Sequence, residues 1–458
     1  MSAENRKILM VLADPLSSRI FFDSHIIRKL HEQLGDRLQV ITPLPASEFE
    51  HWIAKLPGLH FLSDQSMVYQ VSFNFLDRAR SIVDRFLDAR IGYFPLALRF
   101  NLHNSFHMER MTPGHKNAFL DLSRMGTLPD WKVIYRLMFR WLYNRSRFVP
   151  PKLFHYLKEN SDLMVVSNLQ VVTMLPYLVT ARRLGLPVAG YIASWDHPFG
   201  KGVTFPWADR YIVQNESMKT ALAQLHNIPA GRIDITGWPQ TDVFSVPRPR
   251  AAYETLLKSY GLDPSRRCVL IAGNTEVNAP YESFFLERFL QWWRTNRQND
   301  WSLIFRPHPK NTSWKTRYQN IQPQSGFFFQ PPSYTDIETL GLLLRHVDGV
   351  VTNAGTILLD SLINDRPVVC TLYDENAPPG VIFAALNVLG EHYKELVASD
   401  SFYSAKTFDE TTSAIDRCLA APAEKRDARR IACAAIVGNV DGHAAERVAA
   451  SILSCIPS

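Results

Sequence analysis

Short apolar runs alternate with helical patterns along this chain, and the alternation runs through two rounds. In the first round the apolar runs are Lys7–Ala13, Leu38–Thr42, Leu163–Ser167, Val188–Ser194, Arg210–Gln214 and Ile233–Thr236, with helical spacing at Ser24–Leu34, Val171–Leu184 and Glu216–His226. The second round opens at Cys268–Ala272. It continues through a helix at Tyr281–Asn296, strands at Trp301–Phe305 and Val347–Val351, a helix at Ile357–Asn364 and a strand at Pro367–Leu372. Strands that are apolar throughout are buried on both faces, and strands joined through helices run parallel. The pattern predicts an α/β chain with two open parallel sheets. Residues 1–240 and 241–458 are the expected domains, joined near Gly237-Trp238-Pro239 and the proline- and arginine-rich stretch Val246–Arg250. Ligands of such sheets bind outside the carboxyl ends of the strands, so a central cleft between the two sets of strand ends is expected.

The bulk properties narrow the class. A length of 458 residues exceeds one ordinary domain, and 46% hydrophobic with 21% charged residues excludes a disordered chain. The formal charge of +6 leans only mildly toward anionic partners. The basic residues form no recognisable nucleic-acid-binding motif, so no nucleic acid is expected. Five widely spaced cysteines with no CxxC argue against a zinc site or a disulfide framework. His103, His107 and His115 fit no metal-ligand spacing, so no metal is expected. The N-terminus runs straight into a strand, and no stretch reaches the roughly 18 apolar residues that span a bilayer. A cytoplasmic protein is the simplest expectation.

One region, about 64–151, breaks the alternation and is aromatic and basic. Within it Trp131, Ile134, Tyr135, Met138 and Leu142 follow helical spacing, and Lys132, Arg136, Arg140 and Arg147 lie along another stripe. Two readings stand for residues 131–148. One is a helix lying on the anionic inner surface of a membrane, and the other is an ordinary packed helix with solvated arginines.

The residue types that carry chemistry lie at strand ends. Arg306-Pro307-His308-Pro309 follows a strand, with Arg306 able to clamp phosphate and His308 able to donate to a phosphate oxygen or a leaving group. Asn353-Ala354-Gly355-Thr356 opens a helix, where small residues admit a ligand to backbone N–H groups and to the positive end of the helix dipole. Asp360, one turn on, is a candidate acceptor for a sugar hydroxyl or a solvated helix carboxylate. We expect the Arg306 and Asn353 loops to sit on adjacent elements of one sheet and to hold a phosphate ester together. Gly273-Asn274-Thr275 closes the first strand of the second round, where a diphosphate can approach backbone amides. In the first half, Trp195, Asp196, Lys201 and Gly202 follow a strand end and are candidates for the cleft. Asp14 ends the first strand and Arg19 is expected on the loop after it, the place for an acceptor-activating base and an acceptor-binding cation, with a capping or packing role as the alternative for Asp14.

In order, Ser194-Trp195-Asp196 with Lys201-Gly202, Arg210–Glu216, Ile235–Phe244, Arg306–Pro309 and Asn353–Thr356 resemble the GT-B-fold transferases of bacterial surface polysaccharides. The likeness is strongest to the CDP-glycerol glycerophosphotransferase-like group and to related capsule and lipopolysaccharide glycosyltransferases. It runs from about Leu163 to Leu372, and Asp441–Ala449 is similar to that group's terminal helix. The resemblance implies GT-B architecture with two Rossmann-like domains, the second holding the donor and the first the acceptor, and a terminal helix packing back on the first. It implies that Arg306, His308 and Pro309 meet the donor phosphates, together with Asn353, Ala354, Gly355 and Thr356. Where glycerophosphate transferases carry paired serines, this chain has Ala354-Gly355, which moves the expectation from polyol phosphate toward sugar.

The expected function is therefore inverting, metal-independent transfer of a sugar to a bacterial cell-surface glycan or its lipid-linked precursor. The expected partners are a nucleotide-sugar donor and that acceptor, with no cofactor. Asp14 or Asp196 would serve as base, and His308 would act at the leaving group. Polyol-phosphate transfer, nucleotide-sugar 2-epimerisation and a glycan-assembly scaffold are the alternatives.

Overall fold

A computed structural model describes residues 6–68 and 149–457, apart from 13, 201–203, 277, 334–335, 379–382, 387 and 389–390. The expected basic helix at 131–148 lies outside the described residues, as do Lys201 and Gly202. The described residues fall into two compact units. One holds the chain up to Asp242 and again from Asp441 onward, and the other holds Val243–Val440.

The first unit is built on β1 (Ile8–Val11), β2 (Leu38–Thr42), β3 (His60–Ser63), β4 (Leu163–Val166), β5 (Val188–Tyr191), β6 (Arg210–Val213) and β7 (Ile233–Ile235). They pair in parallel in the order β3-β2-β1-β4-β5-β6-β7. Its longer helices are α1 (Pro15–Asp23), α2 (Ile26–Leu34), α3 (Pro151–Asn160), α4 (Leu175–Leu184) and α5 (Glu216–Leu225). Ile8 and Leu163 on one face of the sheet and Leu9 and Met164 on the other are all sealed from solvent, as expected of central strands covered on both faces.

The second unit carries β8 (Arg267–Ala272), β9 (Trp301–Arg306), β10 (Phe327–Phe329), β11 (Gly349–Thr352), β12 (Val368–Thr371) and β13 (Tyr403–Ala405). Their order is β10-β9-β8-β11-β12-β13, again all parallel. Around them lie α6 (Arg250–Ser259), α7 (Glu282–Asn296), α8 (Ile337–His346), α9 (Thr356–Ile363), α10 (Phe408–Ala420) and α11 (Arg426–Ile436). Phe289, Trp293, Trp301 and Phe305 fill the core between α7 and the sheet. In each sheet the strand order reverses between the first and fourth strands, the switch point at which ligands of open α/β sheets bind. For the second unit that point is β8 beside β11.

The last helix, α12 (Ala444–Leu453), belongs to the first unit. Ala445, Val448, Ala449 and Ile452 join the core that contains Ile26, Ile27 and Leu30 of α2, and Lys29 pairs with Glu446 at 2.8 Å. The Asp242 carboxylate accepts the first two N–H groups of α12, from Ala444 (3.1 Å) and Ala445 (2.8 Å). A carboxylate there satisfies donors that have no partner within the helix and suits the dipole. Within the second unit, Ser245 Oγ donates to the Val440 carbonyl at 3.4 Å, joining the two ends of that unit.

Candidate functional site

The loops singled out in the second half gather at the carboxyl edge of the second sheet, in an order that differs from expectation. The Arg306 and Asn353 loops are not on adjacent strands, because β8 runs between β9 and β11. The chain reaches β10 on one side of β8 and then crosses to the other side, so the Gly273-Asn274-Thr275 loop is the central one. Asparagine side chains tie the row together. Asn274 Nδ2 donates to the Asn353 carbonyl (2.9 Å), and Asn353 Nδ2 donates to the Thr371 carbonyl at the end of β12 (2.8 Å).

The central loop is held from behind. Glu282, at the start of α7, accepts the Asn274 N–H at 2.7 Å. Arg317 donates to the Asn274 carbonyl at 3.0 Å. Gly273 is required at this approach, since a Cβ there would lie 2.7 Å from Glu282 Oε2 and 3.2 Å from the Phe305 ring.

At the end of β11 the backbone takes a path that few residues adopt. Ala354 has φ +58°, and Gly355, the N-cap of α9, has φ +106° and ψ 179°. Only glycine takes the second conformation readily. Ala354 is buried, Gly355 is half-buried and Thr356 is exposed at the helix start. The N–H groups here are not all open, because the Gly355 N–H donates to the Tyr393 hydroxyl at 2.6 Å. Tyr393 is 38 positions away and nothing local in the sequence announces it. Asp360 is half-buried on α9, and its carbonyl accepts from Asn364 Nδ2 at 2.9 Å.

Arg306 is the last residue of β9 and only 5% exposed. Its guanidinium grips the Asp336 carboxylate through both arms, with Nη2 at 2.7 Å from Oδ1 and Nη1 bonded to Oδ2. Gln330 Nε2 donates to the same carboxylate at 3.0 Å. The expected phosphate clamp is thus an arginine already engaged by a carboxylate, and sequence reading missed Asp336. His308 and Pro309 are half-buried, and His308 Nδ1 accepts the Lys310 N–H at 3.1 Å. That bond places the proton of a neutral His308 ring on Nε2.

A pocket adjoins this row, lined by residues that include Thr352, Asn353, Thr371, Tyr281, Tyr373 and Asp374. Burial raises the Asp374 carboxyl above the usual range, while N–H groups of Ala384 and Phe383 pull it back. No sequence pattern had marked Tyr281, Tyr373 or Asp374 for a site.

The first-half candidates lie in the other unit. Asp14 caps α1, accepting the Ser17 N–H (3.0 Å), the Ser17 hydroxyl (2.5 Å) and Asn168 Nδ2 (3.2 Å). Arg19 is not on a loop, because Asp14 as N-cap with Pro15 at the first helical position starts α1 directly after β1. Arg19 pairs with Asp23 one turn on, at 3.3 Å. Trp195 is 4% exposed with its ring 6.1 Å from Trp238, and Asp196 accepts the Ser194 hydroxyl at 2.5 Å. The structure therefore brings Gly273, Asn274, Thr275, Arg306, His308, Pro309 and Asn353–Thr356 to one sheet edge. Asp14, Arg19, Trp195 and Asp196 belong to the first unit.

Among the described residues no group of three or more His, Cys, Asp or Glu is placed to hold a metal ion. No helix among them is long and apolar enough to cross a membrane.

Two parallel sheets of this order, with glycine-gated loops at the switch point, define a chain of GT-B architecture, and solved structures agree. UDP-GlcNAc 2-epimerase from Neisseria meningitidis, bound to UDP-GlcNAc, superposes with TM-score 0.56 at 12% identity, over 98% of this chain and 100% of its own. MnaA of S. aureus in its co-structure with UDP gives 0.54 at 13% identity, over 97% and 94%. A glycosyltransferase from Rickettsia africae gives 0.50 at 10% identity, over 98% and 99%. At such identities the likeness is one of fold. Residues 205–454, more than half of the chain, match the profile of the CDP-glycerol:poly(glycerophosphate) glycerophosphotransferases, and the chain belongs to that family. No protein with curated annotation matches it. The resemblance drawn from the motifs is thereby confirmed, and the chain is a transferase-type enzyme.

Proposed function

We propose that this enzyme is an inverting, metal-independent glycosyltransferase acting on a bacterial cell-surface glycan or its lipid-linked precursor. The observation that carries the reading is the backbone at Ala354-Gly355. It opens α9 beside the β8 loop with no side chain beyond a methyl group, so a donor diphosphate can approach the helix N-terminus. The resemblance to glycerophosphotransferases implies paired serines at that turn, and alanine and glycine in their place favour a sugar donor. Neighbours in fold space that bind UDP or UDP-GlcNAc support a nucleotide-sugar donor.

In the proposed step an acceptor hydroxyl attacks the anomeric carbon as its bond to the nucleotide's phosphate oxygen breaks. The hydroxyl proton passes to a carboxylate of the first unit, Asp14 or Asp196, and the leaving diphosphate takes the electron pair. Stabilising that charge falls to the N-terminus of α9 and to His308. Arg306, engaged by Asp336, acts from behind the β9 loop. Residues 131–148 would carry the enzyme to the cytoplasmic face of the membrane, where a lipid-linked acceptor lies.

A thermal-shift screen against UDP, CDP, CMP, GDP and dTDP tests the donor site, because a ligand that binds only the folded state raises its apparent stability. No shift with any of them would refute it. Donors that produce a shift are then incubated with and without acceptor. Release of nucleotide with sugar transfer is expected, and epimer formed without acceptor would overturn transfer. Family membership favours polyol-phosphate transfer as the second reading, and consumption of CDP-glycerol in place of a nucleotide sugar would establish it.

A further inference from the structure

A carboxylate and a guanidinium lie buried together behind the β8 loop, and the proposed transfer uses neither. Glu282 Oε2 and Arg317 Nη2 are 3.5 Å apart, with side chains 7% and 5% exposed. Removing two charges from water is costly unless their remaining valences are met. Here the partners are mostly backbone groups of the loop itself. Glu282 Oε1 accepts the Asn274 N–H, and Arg317 Nη1 donates to the carbonyl of that same residue. The other arm of Arg317 donates to the Ala279 carbonyl. Glu282 Oε2 accepts the Tyr318 hydroxyl at 2.6 Å, and the Tyr318 oxygen accepts from Asn311 Nδ2 at 3.3 Å. Asn274 is therefore gripped on both sides of its backbone, and its side chain reaches across to the Asn353 carbonyl. Gly273 next to it leaves the carboxylate room.

We propose that the Glu282–Arg317 pair is a positioning device, fixing the Asn274 backbone and thereby the spacing between the β8 and β11 loops that receive the donor. The proposal rests on the donor-site reading above. Its geometry makes a prediction that a general stabilising role does not make. Weakening the pair should loosen two loops that are 79 positions apart in sequence, through the one Asn274–Asn353 bond, while leaving the strands beneath them intact.

The test uses the full chain with Glu282→Gln, which keeps the shape and removes the charge. Asp365→Asn serves as control, because it neutralises the partner of another buried arginine of the same unit, Arg429, a carboxylate that is itself partly exposed. Hydrogen exchange read by mass spectrometry should show the segments Gly273–Thr275 and Asn353–Gly355 exchanging at least tenfold faster in E282Q. Val269–Ile271 and Leu303–Phe305 should be unchanged, and D365N should leave both loops as in the wild type. Calorimetry with UDP and CDP should show at least tenfold weaker binding in E282Q alone. Uniformly faster exchange, or unchanged loop exchange, overturns the proposal. If E282Q does not fold, Arg317→Lys takes its place, since it keeps the charge but lacks the second arm. Faster loop exchange with unchanged nucleotide affinity refutes the positioning role alone. A wild-type chain that binds no nucleotide refutes the donor site itself.

Discussion

Replacing Gly355 by alanine isolates the cost of the backbone at the head of α9. At φ +106° and ψ 179° the residue sits where side chains are strongly disfavoured, a conformation that costs about 1–3 kcal/mol for a non-glycine residue. Nothing lies within 4 Å of the position its Cβ would take, so no steric overlap adds to that strain. Alanine also narrows the unfolded ensemble, which returns about 0.4–1 kcal/mol. The net loss is then roughly 1–2 kcal/mol, about a tenfold change in the unfolding equilibrium. Gly231 is the comparison: it too has open space around it but lies outside the left-handed region, so G231A should be neutral or stabilising by up to about 1 kcal/mol. Urea titration of both variants and the wild type, followed by far-ultraviolet circular dichroism, reads the difference. In the same samples G355A should weaken nucleotide binding beyond its effect on stability, because the new methyl stands where a phosphate would approach the helix. A G355A midpoint equal to or above that of the wild type would show that the turn does not demand glycine, and the reasoning about the bare backbone would fall with it.

Three further outcomes are expected. Asp336→Asn leaves the Arg306 guanidinium buried without its carboxylate and should cost about 3–5 kcal/mol in urea titration. An unchanged midpoint would mean that the pair adds nothing to the fold. Tyr393→Phe removes the acceptor of the Gly355 N–H and should cost about 1–3 kcal/mol, read as a lowered Tm. A Tm equal to that of the wild type would show that another group satisfies that N–H. His226 is fully buried, with Nδ1 accepting the Thr204 N–H at 3.1 Å and Nε2–H donating to the Pro198 carbonyl at 2.7 Å. Burial lowers its pKa from 6.5 to about 4, so between those values the unfolded chain binds more protons than the folded one. Its contribution is complete above pH 6.5 and is lost as pH falls toward about 4, by roughly 3 kcal/mol in all. Tm measured across that range should fall less steeply in His226→Gln, and identical slopes would exclude His226 as the titrating group.

The central strands were legible because β1, β4, β8, β9, β11 and β12 are buried on both faces and read as largely apolar runs, with Ser302 the one interruption within β9. Three of the four edge strands, β3, β10 and β13, were not, since His60 and Ser63 bound β3, Ser404 breaks β13, and the three phenylalanines of β10 are too short a run to mark a strand. Helix α1 is announced by Asp14-Pro15, an N-cap followed by proline at the first helical position, a signal that the expected loop at Arg19 overlooks. At the site, the parts legible in sequence were those that act through the backbone, Gly273 and Ala354-Gly355, because small residues at strand ends are a local signal. The groups that hold them were not. Asp336 comes to Arg306 across 30 positions, Arg317 to Asn274 across 43 and Tyr393 to Gly355 across 38. Such pairings are set by strand order, and a reversal of that order also placed β8 between two loops expected to be neighbours.

The first unit closes only with the chain's last helix, and this has a practical consequence. Val243–Val440 is a cassette spliced into a host fold, leaving at Asp242 and returning at Asp441. The host ends of the splice are latched by Asp242 on α12, and the cassette ends by Ser245 on Val440. A shortened chain ending at Val440 would strip Ala445, Val448 and Ile452 from the host core and leave it open to solvent. A cassette exchanged at those same two junctions would leave every residue of that core in place. A property that resides in the cassette could then be exchanged between members of the family without removing a residue of the host core.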